Sequence, residues 1–143
     1  MIVDANILLY AVDETSPFHK PSRNWLEGAL NGPSRVGLPW ASLTAFLLIS
    51  THPRVSAHPL TAEQAWGYVT DWLDAGPAWI PAPTPGHAEV LRGLLVAGDV
   101  RGNLVTDAHL AALAIEHGIG VCSADSDFAR FPGLTWHNPV MPG

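Results

Sequence analysis

The chain has 143 residues, 48% of them apolar, and a mean hydropathy of +0.17, which is enough for one compact core and too short for two of ordinary size. Seven Lys and Arg against thirteen Asp and Glu leave a formal net charge of −6, and a charged fraction of 14% excludes a disordered, charge-solvated chain. One lysine, Lys20, and six scattered arginines make no basic run that holds a polyanion by counterion release, which sets aside a passive DNA-binding module.

Ile2-Val3 predicts a short buried strand ending at Asp4, followed by an apolar helix or turn through Val12. A helix over 20–30, stopped by Asn31-Gly32-Pro33, precedes a second strand over 35–38 and a helix over 41–50. His52 to Pro59 reads as a loop. Thr61, with Glu63-Gln64 behind it, marks a capped helix start running to Leu73, and Gly76-Pro77 is its stop. Residues 78–80 predict a third strand, and Pro85-Gly86 opens a helix through Val96. After a loop over 98–103, Thr106 is placed to cap a helix with Leu110, Leu113, Ala114 and His117 on one stripe. Residues 119–122 predict a fourth strand and 134–136 a short fifth. Strands alternating with helices argue for one α/β domain over 1–143, with a central, mainly parallel sheet of four to five strands flanked by helices.

Cys122 is the one cysteine and lies in an apolar run, so neither an intramolecular disulfide nor a thiol metal cluster is expected. The sequence shows no basic-then-apolar signal segment, and its longest apolar stretch, 36–49, is broken by Pro39, Ser42 and Thr44. A cytoplasmic location without membrane contact is the expectation.

Open parallel sheets bind ligands beyond the carboxyl ends of their strands. Asp4 follows the first strand, Asp125 the fourth, with Asp127 just beyond, and Asp107 lies in the first turn of the helix before the fourth strand. Taken singly, each has a plain structural explanation as a turn former, a first-turn helix acid or a solvated turn. Their joint placement at one sheet edge is harder to explain that way. Carboxylates grouped without basic neighbours repel one another unless protons or hard cations intervene, so a divalent cation of the magnesium or manganese kind is expected. The seven histidines lack zinc-site spacing, and loop or surface roles are expected for His52, His58 and His87. Nucleophile-elbow, Walker and dinucleotide glycine patterns are all missing from the sequence. Trp25, Trp66 and Trp72, in helical segments, are expected in the core or at an interface rather than as base-stacking platforms.

Met-Ile-Val-Asp-Ala-Asn-Ile-Leu-Leu-Tyr at the start, the stretch from Gly102 to Ala114 around Thr106-Asp107, and Ser123-Ala124-Asp125-Ser126-Asp127-Phe128 resemble, in that order, a PIN domain. More narrowly, nearly the whole chain resembles the VapC toxins of bacterial toxin–antitoxin pairs. The resemblance implies a magnesium- or manganese-dependent endoribonuclease, usually a homodimer, silenced by a VapB-like antitoxin. It assigns Asp4, Asp107 and Asp125 to the family's metal-holding acids, Asp127 to a frequent additional acid, and Asn6 and Ser123 to supporting polar positions. One departure stands out. Many PIN domains carry a glutamate in the helix after the second strand, where Phe46 aligns here, and residues 36–51 hold no carboxylate at all. The same segment nevertheless resembles the Ala-Phe-Leu and Ser-Thr-His-Pro-Arg-Val wording of one VapC subgroup.

The expected mechanism is metal-assisted phosphodiester hydrolysis, with Asp4 and Asp107 on the metal, Asp125 completing or orienting its shell, and Arg54, Arg101 and Arg130 in loops able to position phosphates. RNA rather than DNA is implied by the resemblance alone. An aspartyl phosphatase or receiver domain also places an aspartate after its first strand, but it needs a lysine late in the chain, and Lys20 is the only one. The remaining alternative is a catalytically weakened PIN-like domain that binds RNA or a partner without cleaving.

Overall fold

Parity along the strands decides the architecture. In β1 (Ile2–Val3), Ile2 faces one core and Val3 the other. In β4 (Val121–Cys122), Val121 and Cys122 divide in the same way, because successive side chains point to opposite faces of a sheet. The computed structural model, which describes residues 1–141, therefore has helices on both faces of one sheet, as these doubly apolar strands require.

The sheet has five strands in the order β3-β2-β1-β4-β5, and every pairing is parallel. β2 is Val36–Gly37, β3 Ala78–Trp79 and β5 Trp136–His137. Ile2 stands in register with Gly37 on one side and Val121 on the other. The chain winds outward through β2 and β3, then returns to place β4 against β1. The β1–β4 boundary is thus the topological switch point, and a crevice opens at its carboxyl end.

Against one face pack α1 (Ala5–Val12), α2 (His19–Leu30), α3 (Trp40–Thr51) and α4 (Ala62–Asp74), with Leu8, Leu26, Phe46 and Trp72 in their core. Against the other lie α5 (His87–Ala97) and α6 (Leu104–Glu116), with Leu94, Leu113 and Phe128. Asp4 ends β1 and caps α1, its carboxylate accepting from the Ala5 N–H at 2.7 Å, so the segment after β1 is a helix rather than a turn. The capping box expected at Thr61 is complete, with Gln64 N–H to Thr61 Oγ1 at 3.1 Å and Thr61 N–H to Gln64 Oε1 at 2.9 Å.

β2 and β4 are shorter than expected, at Val36–Gly37 and Val121–Cys122, and the starts of α6 and β5 also shift. α6 begins at Leu104, and Thr106 lies inside its first turn with the hydroxyl donating to the Asn103 carbonyl at 2.9 Å instead of capping the helix. Gly102, at φ +61°, lets the chain turn early enough for this start. β5 begins at Trp136, because Gly133 at φ +82° and a Leu134 N–H bond to the Phe131 carbonyl keep the preceding residues in a turn. Among the described residues, no helix is long and apolar enough to cross a membrane.

Candidate metal centre

Three carboxylates, Asp107, Asp125 and Asp127, place oxygen atoms within 4.8 Å of one another at the carboxyl edge of the sheet. Asp107 arrives from the first turn of α6, where the helix dipole favours an anion. Asp125 follows β4 and caps a short 3-10 turn (Ser126–Arg130), accepting from the Asp127 N–H at 2.9 Å. That turn carries the Asp127 side chain back to the other two acids.

Asp4 stands behind this trio. One of its oxygens accepts from the Ala5 N–H and the other from the Ser123 hydroxyl, both at 2.7 Å. The fully buried Ser123 Oγ also accepts from Asn6 Nδ2 at 3.1 Å and from the Asp125 N–H at 3.0 Å. Asn6 Oδ1 accepts from the Ala124 N–H at 3.3 Å. Asn6 and Ser123 thus tie the start of α1 to the end of β4, and Ser123 holds the Asp4 carboxylate and the backbone at Asp125.

Burial first, and charge crowding second, raise the Asp4 and Asp107 carboxyls. Burial pushes the Asp4 carboxyl above its ordinary value, the bonds from Ser123 and Ala5 pull it back, and the Asp125 charge adds to the rise. Asp107 rises from 3.8 to about 6, first through burial and then through the charges of Asp125, Asp4 and Asp127, with Arg130 opposing. A carboxylate held that high among three others sits in a field that a hard cation would relieve, and its donor set is all oxygen, as magnesium and manganese prefer. The residues therefore fit such an ion.

Phe46 is fully buried, its ring edge-on to Trp72 with centroids 4.8 Å apart, so the position aligned with the family glutamate belongs to the core. α3 offers the centre no carboxylate. Of the loop arginines, Arg130 reaches the site, with Nη2 3.4 Å from Asp127 Oδ1, while Arg101 is exposed and spent on Asp99 at 2.7 Å. Arg54 lies in the loop between α3 and α4.

His87 does not sit at the surface as expected. It opens α5 and binds the buried carboxylate of Glu116 through Nδ1, while its Nε2 lies 3.2 Å from His109 Nδ1. Burial alone would raise Glu116, but the bonds from Thr84 and His87 outweigh it and hold the carboxylate below its usual range. This chain clips α5 to α6 on the face away from α1. Residues 87, 109 and 116 share no spacing that could have revealed it.

A family model described as the PIN domain matches residues 1–134. The chain belongs to the PIN domain family. Within that family its relatives are VapC proteins. It is 50% identical over 138 residues to Ribonuclease VapC37 of Mycobacterium tuberculosis, covering 96% of each chain. It is 39% identical over 140 residues to Ribonuclease VapC33 of the same species, covering 98% of each. Among solved structures, this PIN domain superposes on a chain of VapBC2 from Rickettsia felis bound to a promoter DNA fragment, with a TM-score of 0.66 at 18% identity and 96% coverage of both chains. That likeness speaks for the fold.

Proposed function

We propose that this PIN domain is a divalent-metal-dependent endoribonuclease, the toxin of a toxin–antitoxin pair restrained by a VapB-like antitoxin. The observation that carries the reading is the convergence of Asp107, Asp125 and Asp127, with Asp4 behind them, at the switch point of the sheet. The VapC ribonucleases to which the chain is similar over nearly its whole length give the substrate class.

Asp107, Asp125 and Asp127 would hold the cation, and Asp4 keeps lone pairs free to join them. The chemistry the ion would supply is Lewis-acid polarisation of a phosphodiester and relief of the negative field the −6 chain presents to RNA. Ser123 Oγ donates to Asp4 and accepts from Asn6 and the Asp125 N–H, which holds the Asp4 carboxylate beside the end of β4. Ionisation of Asp107 must precede cation binding, so affinity should rise as pH passes through about 6.

An apolar groove of about 580 Å³ lies between the ends of α1 and α3, lined by Leu9, Tyr10, Ile49, Val55, Leu60 and Tyr68. Ser50 Oγ is buried in its wall without a partner, and Asp13 and Glu14 lie on it as well. This groove suits an amphipathic antitoxin segment with a basic residue for the two acids. A homodimer and a cytoplasmic location go with the same reading.

The test is cleavage of a labelled RNA by the purified protein. Manganese, and more weakly magnesium, should support it, EDTA should stop it, and Asp107→Asn and Asp125→Asn should each abolish it. Cleavage in EDTA, or by both variants, would sink the assignment. One observation favours a second reading, a binding domain with little catalysis: Phe46 leaves α3 without the family's carboxylate. RNA bound but uncut under saturating manganese would select it.

A further inference from the structure

Trp40 and Trp66 form a stacked pair on the α3–α4 side of the molecule, with ring centroids 6.4 Å apart and planes 9° from parallel. They are 45% and 49% exposed, whereas Trp72, on the same helix as Trp66, is 8% exposed and in the core. Exposed indoles contribute little to the fold, so the expected core role holds for Trp72 and not for Trp66.

The location is informative. Trp40 is the first residue of α3 and leaves the sheet at the carboxyl end of β2. Counting forward from the Ile2–Gly37 pair sets Pro39 opposite Asp4, so Trp40 emerges one strand over and one residue beyond that carboxylate. Adjacent strands are ~4.8 Å apart. The indole pair thus stands at the same carboxyl edge of the sheet as the acidic centre, on its β2 side.

Charge makes an aromatic contact the available one. Arg23, Arg101 and Arg130 are paired with Glu27, Asp99 and Asp127, and Arg35 lies over the Trp79 ring at 4.0 Å. That leaves Lys20, Arg54 and Arg92, on a chain of net charge −6, to gain affinity from phosphates, which normally dominate nucleic-acid binding. Stacking on an indole needs no charge and accepts any base. The apolar groove that suits a protein segment lies at the other ends of α1 and α3, and neither Trp40 nor Trp66 lines it.

We propose that Trp40, backed by Trp66, is a stacking platform for a base flanking the phosphodiester to be cleaved. This rests on the nuclease reading and adds a binding residue to it.

The experiment follows binding of a fluorescently labelled octa-adenylate RNA to the intact protein in EDTA, and then the kinetics of RNA cleavage with manganese. Trp40→Ala should weaken binding roughly five- to a hundred-fold, the range for one lost base–aromatic stack, and Trp40→Phe should stay within about threefold of the wild type. Trp66→Ala should lose less, in the same direction. With manganese, Trp40→Ala should raise KM and leave kcat unchanged. Wild-type binding by Trp40→Ala, an equal loss in Trp40→Phe, or a wild type that does not bind the oligonucleotide would overturn the proposal. So would a changed oligomeric mass of Trp40→Ala with RNA binding intact, which would make the pair a protein interface. Trp40-dependent binding by a protein that cleaves nothing would refute the nuclease reading and keep the platform. Cleavage with a normal KM in Trp40→Ala would do the reverse.

Discussion

Replacing Asp107 by asparagine should make the metal-free protein more stable, and the gain should depend on pH in a defined direction. The carboxyl of Asp107 titrates near 6 in the native state against an ordinary 3.8. The native protein thus holds this proton more tightly than the unfolded chain, and ionising the group costs stability. That cost is absent below about pH 4, grows as the pH rises, and is fully present above about pH 6. At ~1.4 kcal/mol per pH unit the displacement corresponds to ~3 kcal/mol. Asp107 is only partly buried, however, and solvent screening reduces this to about 1 kcal/mol. The attraction of the charge to the start of α6 offsets a few tenths of that. Asn removes the charge with little change of shape, so Asp107→Asn should melt roughly 2–3 °C above the wild type at about pH 8 in EDTA. The gap should close towards about pH 4.

Thermal unfolding followed by circular dichroism across that range is the assay. Manganese at ten times its dissociation constant should reverse the order, stabilising the wild type by ~1.4 kcal/mol and leaving the variant behind. An Asp107→Asn protein that melts at or below the wild type in EDTA at about pH 8, or a gap that widens towards acid, would refute the claim that burial and the neighbouring acids together penalise the Asp107 charge.

Phe46→Glu, which restores the family's acid in sequence, should not restore a ligand. It places a carboxylate in a fully buried site against Trp72, and the lost packing together with the desolvated charge should cost about 4 kcal/mol or more in denaturant titration; a well-folded variant with tighter manganese binding would show that α3 turns this position towards the crevice. Cys122 is fully buried with its thiol pushed up to about 12 by burial, so it should resist thiol-specific labelling at about pH 8 until the protein unfolds, and rapid labelling of the native state would contradict the β1–β4 packing.

Much of the plan was present in local sequence. Alternating short apolar strands and capped helices are local signals, and Thr61 with Gln64, the stop at Asn31-Gly32-Pro33 and the doubly apolar strands specify a helix-flanked parallel sheet before any long-range contact is known. A parallel sheet also dictates that Asp4 and Asp125, each following a strand, share one edge. Which acids meet is another matter. Asp127 joins Asp107 and Asp125 because the turn after β4 folds back, while Asp4 is held behind them by Ser123, a residue 119 positions away. The strand order is equally non-local, since nothing in β1 or β4 alone states that they are neighbours. The fate of Phe46 depended on Trp72 arriving from α4, and the Glu116–His87–His109 chain on α5 docking against α6. Periodicity records which face of an element is apolar, but the partner that covers that face is chosen only when distant segments pack. The tertiary structure therefore decided the composition of the acidic centre and the exposure of Trp40 and Trp66, and the sequence alone determined the scaffold that brings them to one edge.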